Sequence, residues 1–182
     1  MRAGALADLR LLLALAGSML LVQVGNSLSG GALNVWGLVP RHVEALPGIV
    51  LSPWLHGSWA HLLSNLSGLL ILGALVLLRS RRDFLRASAF IIVVSGVLVW
   101  LFGRTGLHIG ASGWLFGFWG LLLARAWFER SLLDLLLAAL VFVLYGGWFF
   151  GLLPRAGVSF EYHLAGAFSG VLYAALSRRR NQ

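Results

Sequence analysis

Six long apolar stretches, separated by short segments that hold most of the charges, dominate this sequence. Of its 182 residues, 59% are hydrophobic and only 11% are charged, whereas an average soluble domain has about 25% charged residues. So few charges cannot cover a water-facing surface, and so apolar a chain does not stay disordered. The composition therefore predicts an all-α membrane protein, whose helices of about 20 apolar residues cross the bilayer.

The number of apolar stretches predicts a six-transmembrane-helix bundle in a single membrane domain, 1–182, because a span with its loop takes about 30 residues. The first stretch resembles a signal peptide, with Arg2 before its apolar core. Asp8 and Arg10 in its flank, and the lack of a small-x-small cleavage site, favour a retained helix. The predicted helices lie at about 9–25, 61–78, 84–102, 112–128, 131–150 and 162–177, with an outer loop at 26–60.

The arginines predict how the chain is oriented. A net charge of +8 suggests a nucleic-acid binder, but that function needs a basic stripe on a soluble domain, so we expect no nucleic-acid partner. With both termini in the cytoplasm, the charges follow the positive-inside rule. The inner face then holds Arg2, Arg10, Arg79, Arg81, Arg82, Arg86, Arg125, Arg130, Arg178, Arg179 and Arg180, and the outer face holds Arg41, Arg104 and Arg155. An interfacial belt at the outer face is predicted from Trp36, Trp54, Trp59, Trp100 and Trp148.

Four polar side chains fall inside predicted spans, where polar groups are costly and often functional. Each has an ordinary explanation, because a lone serine can pack or bond to its own helix and asparagine can join two helices. Their depths favour a shared site. Asn65, Ser112 and His163 lie roughly 21, 20 and 22 Å from the inner arginines of their helices, a common level some 8–10 Å below the outer face. His61 lies one turn above Asn65 on the same helix face.

A serine and a histidine at one depth suggest a nucleophile and its general base. Asp134 is predicted near the inner face, and Glu161 lies only two residues before His163, a separation that turns side chains apart on a helix. We therefore favour a Ser–His dyad over a triad with either carboxylate. His61, Asn65 and the backbone amide of Ser112 are candidate donors to an oxyanion.

Three motifs resemble those of the rhomboid intramembrane serine proteases. Residues 110–113, Gly-Ala-Ser-Gly, resemble the GxSG motif of that family, and they continue as Trp-Leu-Phe-Gly. His61 and Asn65 are similar to the HxxxN signature of its second helix, with a further His56 upstream. The third motif is similar to the histidine and glycines of its sixth helix, and here it consists of His163, Gly166 and Gly170.

The resemblance implies a fold and a chemistry, namely a rhomboid-like bundle with Ser112 as the nucleophile and His163 as the base. It also implies an oxyanion hole of His61, Asn65 and the Ser112 amide. Supporting roles fall to Gly110, Gly113, Phe116, Gly166, Gly170 and His56. The implied enzyme needs no cofactor and no metal. It cleaves single-span or membrane-anchored proteins near the outer face of a bacterial inner membrane, where helix-weakening residues let the substrate unwind.

Other functions stay open at this point. An inactive rhomboid-like protein would bind membrane proteins without cleaving them. A small transporter would use the polar cluster as a solute site, although the chain has neither an inverted repeat nor charges at mid-membrane. A haem protein could use His61 and His163 as paired ligands. One departure from the family concerns the first outer loop, where many members have an adjacent Trp-Arg pair that this chain lacks.

Overall fold

The computed structural model of the protein describes residues 4–155 and 157–178. In this part of the chain the regular structure is helical, with one isolated antiparallel bridge between Leu38 and His108. The α-helices are α1 (Ala5–Leu28), α2 (Gly48–Leu51), α3 (Trp59–Leu77), α4 (Arg81–Phe102), α5 (Ser112–Glu129), α6 (Leu132–Tyr145) and α7 (Phe160–Ser177). Short 3-10 helices cover Ala32–Trp36, Val43–Ala45, Ser52–Trp54 and Gly146–Leu152. Three of the arginines predicted at the inner face, Arg2, Arg179 and Arg180, lie outside the described residues.

Four helical stretches are long and apolar enough to cross a membrane, in agreement with the predicted helical membrane protein. They are Ala5–Leu28, Trp59–Leu77, Arg81–Phe102 and Leu132–Leu152. Helices α5 and α7, with 18 residues each, are not among them because glycine, serine, tyrosine and charged residues lower their apolar content. Six spans therefore stay a prediction.

Local sequence explains where the helices begin and end. Serine side chains cap α3, α4 and α6, because Ser58, Ser80 and Ser131 accept hydrogen bonds from the backbone N–H groups of His61, Asp83 and Asp134. Helix α1 begins before the predicted boundary at residue 9, and the Asp8 carboxylate in its first turn pairs with Arg81 of α4 at 3.1 Å. The predicted helix 131–150 ends as an α-helix at Tyr145, since two consecutive glycines follow and favour the tighter 3-10 segment.

Helix α5 forms the centre of the bundle, and α7 packs closely against it. The α5 side chains that are buried in the main apolar core include Trp114, Leu115, Phe118 and Leu121. Glycines allow the backbones of α5 and α7 to touch, since a methyl group on Gly166 or Gly170 would overlap the carbonyl oxygen of Gly113 or Gly117. Small residues four apart on both helices are the usual means of such close packing in membranes.

Ion pairs join the helices at the end of the bundle opposite Ser112. The buried guanidinium of Arg125 on α5 contacts Asp83 of α4 at 2.6 Å, and the Tyr173 hydroxyl of α7 donates to the same carboxylate at 3.1 Å. Arg79 lies 3.2 Å from Glu129 and 3.4 Å from Asp134. Asp134 is thereby engaged far from the serine and histidine.

The glycine contact predicts that Gly170→Ala destabilises the bundle. The added methyl group has no room against the α5 backbone, and such overpacking costs about 1–3 kcal/mol. Gly17→Ala in α1 is the matched control, because nothing lies within 4 Å of its new methyl group. Thermal unfolding in detergent micelles should show a lower midpoint for Gly170→Ala only. Equal midpoints for the two variants would contradict the close α5–α7 contact.

Candidate active site

Ser112 is the first residue of α5 and follows a tight backbone turn. Gly110 has a φ of 110°, a conformation that L side chains rarely adopt. Its amide donates to the carbonyl oxygen of Ser52 at 2.9 Å, which fixes the turn to the outer loop. The Ser112 hydroxyl thus stands at a helix N-terminus, where free backbone N–H groups favour negative charge.

The His163 imidazole is placed between Ser112 and a backbone carbonyl. Its Nε2 atom lies 2.9 Å from Ser112 Oγ, and its Nδ1 atom lies 2.8 Å from the carbonyl oxygen of Gly151. A carbonyl only accepts hydrogen bonds, so the hydrogen-bond network assigns the proton to Nδ1 and leaves Nε2 to accept from the serine hydroxyl. This is the tautomer that a general base needs.

Aromatic rings hold the imidazole from one side. Phe116, one turn after Ser112, stacks on His163 with centroids 4.1 Å apart and an interplanar angle of 9°. Trp148 from the 3-10 segment stacks in turn on Phe116, with centroids 4.6 Å apart. These two rings restrict the rotation of His163 away from Ser112.

His61 and Asn65 border the turn that leads to Ser112. A methyl group on Gly110 would lie 2.5 Å from His61 Nε2 and 3.5 Å from Asn65 Nδ2, so both nitrogens face that backbone. Asn65 is buried, and its Nδ2 donates to the carbonyl oxygen of His61 at 3.1 Å, which orients the amide. The two side chains therefore lie close to the backbone that leads to Ser112.

His56 lies behind this pair in the outer loop. Its side chain is fully buried, and its ring meets that of His61 edge to face with centroids 5.0 Å apart. Burial, and secondarily the neighbouring His61, lower the pKa of His56 to about 4. At pH 7 the His56 imidazole is therefore uncharged, and it packs against His61.

These groups line one cleft of about 670 Å³, which also contains Ser64, Ile109, Trp148 and Val158. The cleft brings together Ser112, His163, His61, Asn65 and Phe116, all singled out by the sequence. Gly166 and Gly170 lie below it in the α5–α7 contact. Within the described residues, no group of three or more His, Cys, Asp and Glu side chains is arranged to hold a metal ion.

Three positioning contacts escape sequence analysis. The first is the Gly151 carbonyl, which no side-chain pattern could reveal because every residue has one. The second is Arg104, which forms an ion pair with Glu161 and donates to the carbonyl oxygen of Val158 at 3.1 Å. Glu161 is thereby occupied by arginine, and the contact anchors the N-terminal turn of α7, which carries His163.

The third contact is centred on Ser52, a fully buried residue of the outer loop. Its hydroxyl lies 2.7 Å from the hydroxyl of Tyr162, the residue before His163. Its carbonyl accepts from Gly110, two residues before Ser112. One loop residue thus contacts the backbone before Ser112 and the side chain before His163.

Comparison with known proteins now identifies the family. A sequence model of the Rhomboid domain matches residues 44–180. The chain belongs to the rhomboid family. Its integral membrane character follows from that membership together with the apolar helices. The match extends over the cleft, the α5–α7 contact and the second half of the outer loop.

Relatives of this rhomboid protein include bacterial and plant sequences. An uncharacterized protein of Mycobacterium tuberculosis is 37% identical over 166 residues, which cover 86% of this chain and 69% of that protein. An uncharacterized protein of Mycobacterium leprae is 34% identical over 166 residues, 86% of this chain and 66% of that protein. RHOMBOID-like protein 1 of Arabidopsis thaliana is 32% identical over 149 residues, 78% of this chain and 36% of that protein.

Because the Gly151 carbonyl orients the His163 imidazole, we predict that Gly151→Ala moves the imidazole out of its position beside Ser112. The new methyl group would lie 2.8 Å from Phe116 Cζ and 3.6 Å from His163 Nδ1, which forces the carbonyl or the ring to move. Displacements of about 1 Å in such a site reduce rates about a hundredfold. The rate of Ser112 labelling by a fluorophosphonate measures this loss. Gly17→Ala in α1, whose methyl group meets nothing within 4 Å, should label normally, and normal labelling of Gly151→Ala would refute the role.

The buried hydroxyl pair predicts energetic coupling between Ser52 and Tyr162. Either Ser52→Ala or Tyr162→Phe leaves one buried hydroxyl without its partner, at a cost of about 1–3 kcal/mol. The double variant should lose less than the sum of the single variants, as contacting residues do. Unfolding free energies in micelles measure the cycle. Ser67→Ala, which removes a hydroxyl bonded within its own helix, serves as the control, and strict additivity would argue against the coupling.

Proposed function

We propose that this rhomboid-family protein is an intramembrane serine endopeptidase with Ser112 as its nucleophile and His163 as its general base. The observation that carries the proposal is the relay of hydrogen bonds from Ser112 Oγ to His163 Nε2, and from His163 Nδ1 to the Gly151 carbonyl. A serine hydroxyl is a weak nucleophile until an oriented base removes its proton. Family membership supports the same activity.

The proposed reaction proceeds through an acyl-enzyme. Ser112 Oγ attacks the scissile carbonyl carbon while His163 Nε2 takes the hydroxyl proton. His163 then gives this proton to the leaving amide nitrogen as the C–N bond breaks. A water molecule, deprotonated by His163, attacks the ester, and the acid product leaves as Ser112 recovers its proton.

His61 Nε2, Asn65 Nδ2 and the Ser112 amide are the proposed donors to the oxyanion of each tetrahedral intermediate. Removing one such donor from a soluble protease slows turnover about 10²–10³-fold. Their position beside Gly110 supports this role, because only a residue without a side chain lets the backbone and both donors approach one point. Gly113, Gly166 and Gly170 bring the two helices close enough for the relay.

The proposed setting is a six-span domain with both termini in the cytoplasm of a bacterial cell. Helices α5 and α7 would be the fifth and sixth spans, in addition to the four that are long and apolar enough to cross a membrane. The arginine distribution supports an orientation with the cleft toward the outer side of the inner membrane. The proposed substrates are single-span or membrane-anchored proteins, which would unwind locally because a helix hides its carbonyl groups in internal hydrogen bonds.

The proposal predicts that Ser112→Ala and His163→Ala each abolish cleavage of a single-span substrate in liposomes. The first removes the nucleophile and the second its base. Fluorophosphonate labelling should be lost in both variants. Phe142→Ala on the exposed face of α6 is the control and should cleave normally. Cleavage that survives Ser112→Ala would end the serine-protease proposal, and an unlabelled, inactive wild type would assign the chain to the non-proteolytic members.

A further inference from the structure

An apolar groove lies on the same side of α5 as the cleft, but farther along the helix from Ser112. Its volume is about 400 Å³. Phe149 of the 3-10 segment closes one end, and Ala167 and Val171 of α7 form one wall. The floor belongs to α5 and consists of Trp119, Gly120, Leu123, Ala124, Trp127 and Phe128.

The groove runs from the middle of the bundle to the end opposite Ser112. Trp119 to Trp127 spans two turns of α5, roughly 12 Å, which is comparable to the depth of one leaflet of a 30 Å hydrocarbon core. Trp127 at its open end is 72% exposed. A slot of this length and apolarity matches a lipid acyl chain lying along the bilayer normal.

Positive charge stands at the open end. The Arg130 guanidinium lies over the Trp127 ring, 5.8 Å from its centroid. Arg178 ends α7 two turns beyond Val171, and hence on the same helix face. The acidic Glu129 and Asp134 nearby share Arg79, and with Arg130 and Arg178 the arginines exceed these two carboxylates by one charge, which suits a phosphate.

We propose that this groove binds one anionic phospholipid of the inner leaflet. One acyl chain lies along α5 between Phe149 and Trp127, and the headgroup phosphate contacts Arg130 and Arg178. A phospholipid fits better than a substrate helix because the groove, with a volume of about 400 Å³, is short and ends at arginine side chains.

The bound lipid would also brace the catalytic histidine, a consequence that rests on the proposed protease function. Phe149 packs edge to face on Trp119 with centroids 4.7 Å apart. The next residue, Trp148, stacks on Phe116, which stacks on His163. An acyl chain against Phe149 therefore supports the same segment whose Gly151 carbonyl holds His163.

Native mass spectrometry of the full chain, purified in detergent with phosphatidylglycerol or phosphatidylcholine, tests binding without any substrate. We expect wild type to retain one phosphatidylglycerol in preference to phosphatidylcholine. Ala124→Trp and Val171→Trp, which fill the groove from two walls, should lose the retained lipid. Val143→Trp on the 79% exposed face of α6 adds the same ring outside the groove and should retain it. Arg130→Gln should weaken the anionic preference about fivefold.

Equal retention in the groove variants and in Val143→Trp would overturn the site, and so would a wild type that retains no lipid. Displacement of the lipid by a single-span substrate would assign the groove to substrate and also overturn the proposal. Circular dichroism checks that each variant is folded, and two independent filling positions keep the test decisive if one variant fails to fold. Lipid retention is read without activity, so an inactive protein that binds lipid would refute the protease and leave the lipid site standing.

Discussion

The backbone contact between α5 and α7 is the constraint on which the site depends. Ser112 opens α5 and His163 lies in the first turn of α7, so their side chains meet only if the two helix axes are unusually close and correctly staggered. The Gly113–Gly166 and Gly117–Gly170 contacts supply both conditions, because a side chain on Gly166 or Gly170 would overlap the α5 backbone and separate the helices. Lipid offers no hydrophobic drive to hold helices together, so close van der Waals packing has to do so. Helix packing and the geometry of the serine–histidine pair are therefore set by the same contacts.

The histidine is oriented by a neutral backbone carbonyl, that of Gly151, and not by an acidic side chain. The apolar surroundings of the histidine explain this arrangement. A carboxylate beside His163 would need its own hydration or hydrogen-bond donors, and burying one in an apolar bundle is expensive. The Gly151 carbonyl fixes the tautomer at Nδ1 without that cost. The nearby carboxylate of Glu161 is held instead by Arg104 at the outer rim. The Gly151 carbonyl and the stacked rings of Phe116 and Trp148 therefore orient the His163 ring.

How much the sequence could predict depends on the kind of contact. Apolar periodicity predicts helices because a helix satisfies its own backbone groups in lipid. The long described helices begin and end within four residues of the predicted ones, except that α6 ends five residues early, at Tyr145. Depth measured from arginines predicted one level for Asn65, Ser112 and His163, and these side chains share one cleft. Contacts through backbone groups could not be predicted, as Gly151 shows. The end of α6 at Tyr145 could not be predicted either. Apolar content alone predicts a longer α-helix, but two glycines follow and the chain continues as a 3-10 helix.

The outer loop shows why a missing sequence pair need not disturb the site. In the absence of an adjacent Trp-Arg pair, Arg41 donates to the carbonyl oxygens of Leu101 and Gly103 at the end of α4, where unpaired helix carbonyls attract cations. The loop is also joined to α1, since Trp54 donates to Ser18 at 2.9 Å. Ser52 then transmits the position of the loop to Gly110 and Tyr162. Because several of the acceptors are backbone atoms or small hydroxyls, different side chains can fix the loop equally well. The loop sequence can therefore vary while the backbone around Ser112 and His163 stays in place.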